Sequence, residues 1–288
     1  MIKKIDLDEV IANKNPKLAK KLPRFAKNYL KRILHITEMN TFLEEHAEKV
    51  GLDFANAVID FLDLKLTVEG EENLVNAERP LFVSNHPLGG LDGIAILTLT
   101  GKHYEDVKLM VNDFLMAVTS LNSMFVPVNK HGSSRAYKND IDKSVSSDSP
   151  LIIFPAGVCS RKLPYGIYDL EWNKSFIKMA RNNARTIVPL YVTGRNSRFF
   201  YNLANLRKRL RIKGNIEMLY LVDEMVKQRH LTMNIVVGKP IEPTVFTSKH
   251  DDWEWARRLR EMVYEMKDGN SRTFDPNADL KLPKSYFG

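Results

Sequence analysis

Cysteine is almost missing from this chain: Cys159 is the only one in 288 residues, so no intrachain disulfide can form. That fits a reducing compartment. Long apolar runs are missing too; none approaches the ~18 residues of a membrane-spanning helix. The opening residues, Met1-Ile2-Lys3-Lys4-Ile5-Asp6, are charged and lack the apolar core of a signal peptide. The expectation is a cytoplasmic protein, at most peripheral on a membrane. No Gly-x-x-x-x-Gly-Lys loop or Gly-x-Gly-x-x-Gly fingerprint is present, so nucleotide binding has no support. Gly-x-Ser-x-Gly is absent as well, which argues against an α/β-hydrolase elbow. His35, His46, His103, His131, His230 and His250 show no ligand spacing with Cys159 or with carboxylates, so no metal is expected. Internal repeats and low-complexity stretches are also lacking.

The composition is that of an ordinary globular chain, 44% hydrophobic and 27% charged. Lys and Arg (43) outnumber Asp and Glu (35), for a net charge of +8. Such an excess favours an anionic partner: nucleic acid, a membrane surface or an acidic substrate. Composition does not choose among them.

Residues 1–62 read as a helical region. From residue 22, Leu22, Phe25, Ala26, Tyr29, Leu30, Ile33 and Leu34 recur at helical spacing, interleaved with Arg24, Lys27, Lys31 and Arg32. A basic amphipathic helix with aromatic residues suits an anionic membrane interface, or else packing on its own domain with the cations solvated. Pro23 marks the first turn. Residues 63–288 read as an α/β domain. Strands are expected at 64–70, 81–84, 107–111, 124–128, 151–154, 186–193, 219–221 and 232–238. Helices are expected at 93–100, 114–120, 134–146, 173–182 and 253–266. Strands alternating with helices predict an α/β fold, a sheet flanked by helices with an N-terminal helical annex. The residues after 268 read as loosely ordered.

One stretch stands out. Asn85-His86-Pro87-Leu88-Gly89-Gly90-Leu91-Asp92-Gly93 joins the apolar strand Leu81-Phe82-Val83-Ser84 to a helix. Open α/β sheets place chemistry at such carboxyl ends of strands. A neutral imidazole removes a hydroxyl proton with one nitrogen when a carboxylate holds the proton on the other. The glycines allow a turn tight enough for Asp92 to reach back to His86. The competing reading is a helix N-cap beside an ordinary loop histidine. A second segment, Phe154-Pro155-Ala156-Gly157-Val158-Cys159-Ser160-Arg161, also ends an apolar run and enters a glycine-containing loop.

Together these segments resemble the glycerolipid acyltransferase family, whose members acylate glycerol phosphate and lysophosphatidate. Asn85-His86…Asp92 resembles the family's Asn-His-(four residues)-Asp motif, with five residues here instead of four. Residues 154–161 resemble its Phe-Pro-Glu-Gly-Thr-Arg-Ser motif, with Ala156 in place of the glutamate. Ile187-Val188-Pro189-Leu190-Tyr191-Val192 resembles its later Val-Pro motif. Ser123-Met124-Phe125-Val126-Pro127-Val128-Asn129 stands where the family has Gly-x-x-Phe-Ile-x-Arg. The match runs over roughly residues 75–195. The missing arginine and glutamate suggest an acceptor other than a glycerol phosphate. The variant motifs resemble most the hemolysin-like bacterial branch, which includes enzymes that O-acylate acyl-amino-acid lipids such as acyl-ornithine or acyl-glycine.

The resemblance implies a glycerolipid-acyltransferase-like mixed sheet with His86 as general base and Asp92 as its orienter. It implies an acyl carrier protein or coenzyme A thioester as co-substrate and a hydroxyl of a lysolipid or acyl-amino-acid lipid as acceptor, with no cofactor. The acceptor site is expected to use Asn85, Gly157, Ser160, Arg161 and Lys162, with Asn129 and Lys130 (or Arg135) replacing the absent arginine. A Cys159 nucleophile is the alternative chemistry, but its position is not catalytic in the family. The expected setting is the cytoplasmic face of the inner membrane. The basic-aromatic stretch Arg195-Asn196-Ser197-Arg198-Phe199-Phe200-Tyr201, followed by Arg207–Lys213, suits lipid head groups or RNA. Nucleic acid is not the expected partner. The rival reading is a non-catalytic basic module that binds anionic membrane or RNA.

Overall fold

The computed structural model describes residues 4–14, 16, 21–75, 77–112, 115–129, 135–212, 214–269 and 272–281. Four N-terminal helices, α1 (Leu7–Lys14), α2 (Arg24–Ile33), α3 (Ile36–Glu45) and α4 (Gly51–Phe61), lead into β1 (Lys65–Glu69). The core follows as β2 (Leu81–Ser84), α5 (Gly90–Thr100), β3 (Lys108–Asn112), β4 (Phe125–Asn129), α6 (Arg135–Ser146) and β5 (Leu151–Ile153). A hairpin of β6 (Arg161–Leu163) and β7 (Gly166–Tyr168) precedes α7 (Ser175–Asn182) and β8 (Ile187–Val192). The chain ends through α8 (Arg198–Arg209), α9 (Leu221–Val226), β9 (Thr232–Val237) and α10 (Asp252–Glu265).

Seven strands form one mixed sheet in the order β1-β9-β8-β2-β5-β3-β4. All neighbours pair in parallel except β8 with β9. β2 lies between β8 and β5 and is fully buried, as a central parallel strand covered on both faces must be. Alternation along the strands divides the core in two. Phe82, Leu109, Val111, Ile152 and Val188 face one layer with Phe54, Ala55 and Leu62 around α4 and with Ala95, Ile96 and Leu99 of α5. Leu81, Val83, Met110, Leu151, Ile153 and Ile187 face the other, with Phe176 and Ile177 of α7 and Trp255, Leu259 and Val263 of α10. Phe42 of α3 joins the first layer, so packing continues across residue 62.

Two expected elements take other forms. The 114–120 stretch is a pair of 3-10 turns, Leu115–Ala117 and Thr119–Met124, and Phe114 lies outside the described residues. The expected strand at 219–221 is instead the end of a 3-10 turn, Ile216–Tyr220, running into α9. Short apolar runs fit helix or strand equally, and the neighbours decide. Here Tyr220 and Leu221 pack on Cys159, Phe200 and Tyr201 rather than on a sheet edge. The β6–β7 hairpin has no clear signal in the sequence. Within the residues after 268, Phe274 is buried against Trp255 and Phe246. No helix among the described residues is long and apolar enough to cross a membrane.

Candidate active site

The carboxyl ends of β2 and β5 lie side by side, so the loops that follow them meet. After β2 the chain turns through His86 into α5, whose N-cap is Gly89 at φ 81°, a left-handed conformation open to glycine. That turn absorbs the fifth residue between His86 and Asp92. His86 Nδ1 lies 3.0 Å from Asp92 Oδ2. The same oxygen accepts the main-chain N–H groups of Leu88 (2.9 Å) and Gly89 (3.1 Å). Asp92, in the first turn of α5, therefore caps its own helix and holds the imidazole. Asp92 Oδ1 is buried with no donor among the described residues. Burial pushes the Asp92 carboxyl above the ordinary carboxylate range, and the His86 hydrogen bond opposes this.

The imidazole stacks on Phe154 at 4.1 Å between ring centres. Its side chain is 16% exposed, and Nε2 has no protein partner among the described residues. One nitrogen is thus fixed by a carboxylate, and the other is left without a protein partner among the described residues. This is the arrangement of a general base and its orienter.

Behind His86, the Asn85 side-chain amide bonds both main-chain groups of Val192: Nδ2 donates to the carbonyl (2.9 Å) and Oδ1 accepts the N–H (2.7 Å). Asn85 therefore locks the end of β2 to the end of β8. The Ser160 N–H donates to the His86 carbonyl at 2.7 Å, which joins the two loops.

The remaining expected ligands are dispersed. Ser160 is buried, and its hydroxyl donates to Asp169 at 2.6 Å. Arg161 is buried, donating to the Cys159 carbonyl (2.6 Å) and to Glu217 (3.2 Å), with its guanidinium over the Phe200 ring. Its charge is satisfied internally. Lys162 is exposed on β6. Gly157 is exposed at φ 67°, with open space where a Cβ would stand. Asn129 ends β4, and Lys130 lies outside the described residues. Cys159 is buried, and burial pushes its thiol up, against a nucleophilic role.

Asp169 escapes sequence reasoning. It is fully buried, and its Oδ1 accepts the His86 N–H (3.2 Å) and the Ser160 hydroxyl, while Oδ2 accepts Trp172 Nε1 (2.8 Å). Its own N–H donates to the Tyr264 hydroxyl, and its carbonyl accepts from Arg260. One carboxylate thus clamps both loops of the site. The only local sign is Asp169-x-x-Trp172 after the second motif.

The mixed sheet thus carries a histidine–aspartate pair at the carboxyl end of a central strand. A family model described as acyltransferase matches residues 9–271, and the chain belongs to that acyltransferase family. It is 45% identical over 264 residues to the lyso-glycine lipid O-acyltransferase of Phocaeicola vulgatus, covering 91% of this chain and 95% of that one. The enzyme of the same name from Bacteroides thetaiotaomicron is also 45% identical, covering 91% and 97%. The crystal structure of the 1-acyl-sn-glycerophosphate acyltransferase from Thermotoga maritima superposes over 92% of this chain and 95% of that one, at 18% identity and a TM-score of 0.48. The protein is therefore an O-acyltransferase, and the expected family is the one found. The reading as a non-catalytic binding module is set aside.

Proposed function

We propose that the protein transfers a fatty acyl group from a thioester to the hydroxyl of an N-acylated amino-acid lipid of the lyso-glycine type. The His86–Asp92 pair, at 3.0 Å with Nε2 free of protein partners among the described residues, carries the proposal. His86 Nε2 takes the proton of the acceptor hydroxyl as that oxygen attacks the thioester carbonyl. Asp92 holds Nδ1–H toward itself and stabilises the imidazolium. The tetrahedral adduct collapses with cleavage of the C–S bond, and the imidazolium returns its proton to the leaving thiolate. Atoms balance without a covalent acyl-enzyme, because the acceptor is itself the nucleophile. The donor is an acyl carrier protein or coenzyme A thioester, to which a net charge of +8 is complementary.

The acceptor is a lipid, so the reaction belongs at a membrane surface. Phe25 (77% exposed), Phe199 and Leu210 project from α2 and α8, among the exposed cations Arg24, Lys31, Arg32, Lys208 and Arg209. The Tyr29 and Tyr220 hydroxyls hydrogen-bond at 2.7 Å, and Phe199 packs on Tyr220, which ties these elements into one face. Apolar tips ringed by cations suit an anionic bilayer interface.

The test is acyl transfer from labelled acyl carrier protein and coenzyme A thioesters to lyso-glycine lipid in mixed micelles, wild type beside His86→Ala. The expected product appears with wild type and falls about 10²-fold or more in the variant. A His86→Ala enzyme with full activity rules out this mechanism.

A further inference from the structure

A cleft of about 530 Å³ lies between the β6–β7 hairpin and the start of α8. Lys162, Arg195, Arg198 and Lys227 line it, and Glu224 is the one acid among its lining residues. Glu224 is already committed: it pairs with Lys227 and accepts from the Ser197 main chain and hydroxyl. Lys162, Arg195 and Arg198 have no carboxylate partner among the described residues. Three unpaired cations around one concavity repel one another, and a bound anion relieves that repulsion.

The cleft adjoins the catalytic turn. Asn196 in its lining donates from Nδ2 to the carbonyl of Pro87, next to His86. Lys162 stands two residues from Ser160, whose N–H holds the His86 carbonyl. Asn196 is 3% exposed, and its Oδ1 is buried with no donor among the described residues. A buried acceptor without a donor is costly, and an N–H from a ligand satisfies it. The lining therefore asks for a carboxylate with an amide N–H beside it, which is the head group of an N-acylated amino acid. Burying Arg161 in its Glu217 pair leaves this work to the cations of the cleft.

We infer that this cleft is the acceptor's head-group site, with Lys162, Arg195 and Arg198 binding its carboxylate and Asn196 its amide. The inference rests on the acceptor class proposed above. It is tested by titrating N-octanoylglycine and its methyl ester into wild type and into Lys162→Gln/Arg195→Gln/Arg198→Gln protein by calorimetry, beside the transfer assay. All three side chains are exposed, so the variant is expected to melt like wild type. Wild type is expected to bind the acid about tenfold or more tightly than the ester, and the variant to lose that preference. In the transfer assay, KM for the lyso-glycine lipid rises by a similar factor. Equal binding of acid and ester by wild type, or unchanged acid binding by the variant, overturns the site. So does a loss confined to KM for the coenzyme A thioester, which assigns the cations to the donor. Acid-selective binding without acyl transfer to the lipid leaves the cleft standing and refutes the reaction.

Discussion

The main-chain N–H of His86 donates to the carboxylate of Asp169, 83 residues downstream, at 3.2 Å. A residue beyond both motifs thereby joins them: one buried carboxylate holds the backbone of His86, the Ser160 hydroxyl and the Trp172 indole. Asp169→Asn replaces an acceptor oxygen with an amide that faces a donor in either orientation. The expected loss is about 2–3 kcal/mol in urea denaturation, with a larger fall in kcat than in acceptor binding because His86 loses its position. Trp172→Phe leaves Asp169 Oδ2 without its donor and a void beside it, and should cost about 2–4 kcal/mol. A stable, fully active Asp169→Asn enzyme contradicts the clamp.

Asp92 sets function against stability. Its carboxyl lies above the ordinary range because it is buried. Below about pH 4, near the unfolded pKa, both states are protonated and folding bears no penalty. As pH rises past that value the unfolded chain ionises first, and folding loses stability until the folded carboxyl has ionised too. Asp92→Asn removes this loss. Its melting temperature should match wild type at low pH and exceed it at pH 7, while acyl transfer falls roughly 10²–10⁴-fold. Melting curves from pH 4 to 8 check the sign.

Arg185 is buried and reaches the main-chain carbonyls of Val145 (2.7 Å), Ser149 (3.0 Å) and Ser144 (3.1 Å). It binds the end of α6 to the turn before β5. Burial lowers its pKa to about 10, so it stays charged at neutral pH. Arg185→Met keeps the volume but strands several buried carbonyls, for an expected cost of about 3 kcal/mol by chemical denaturation.

Membrane engagement is checked by vesicle flotation. Phe25→Asp on α2 and Leu210→Asp after α8 should each weaken binding to anionic vesicles about tenfold, with little change in melting because both side chains are exposed. Binding should also fall as salt screens the surrounding cations. Flotation of both variants equal to that of wild type refutes this surface.

Sequence alone determined whatever is local. The alternation of apolar runs placed the core strands and most helices. His86 and Asp92 were legible as a pair because six residues and one glycine turn bring them together. Distance and exposure were decided by tertiary structure. Asp169 becomes part of the site only because parallel pairing of β2 with β5 delivers two loops to one edge. Arg161 looks like a free ligand in the sequence, yet Glu217, 56 residues away, neutralises it in the interior. Lys162, Arg195 and Arg198 share a cleft because the hairpin folds back against the start of α8. The physical reason is range: periodicity and turn chemistry act within a few residues, whereas the partner of a buried charge is chosen by packing across the whole sheet.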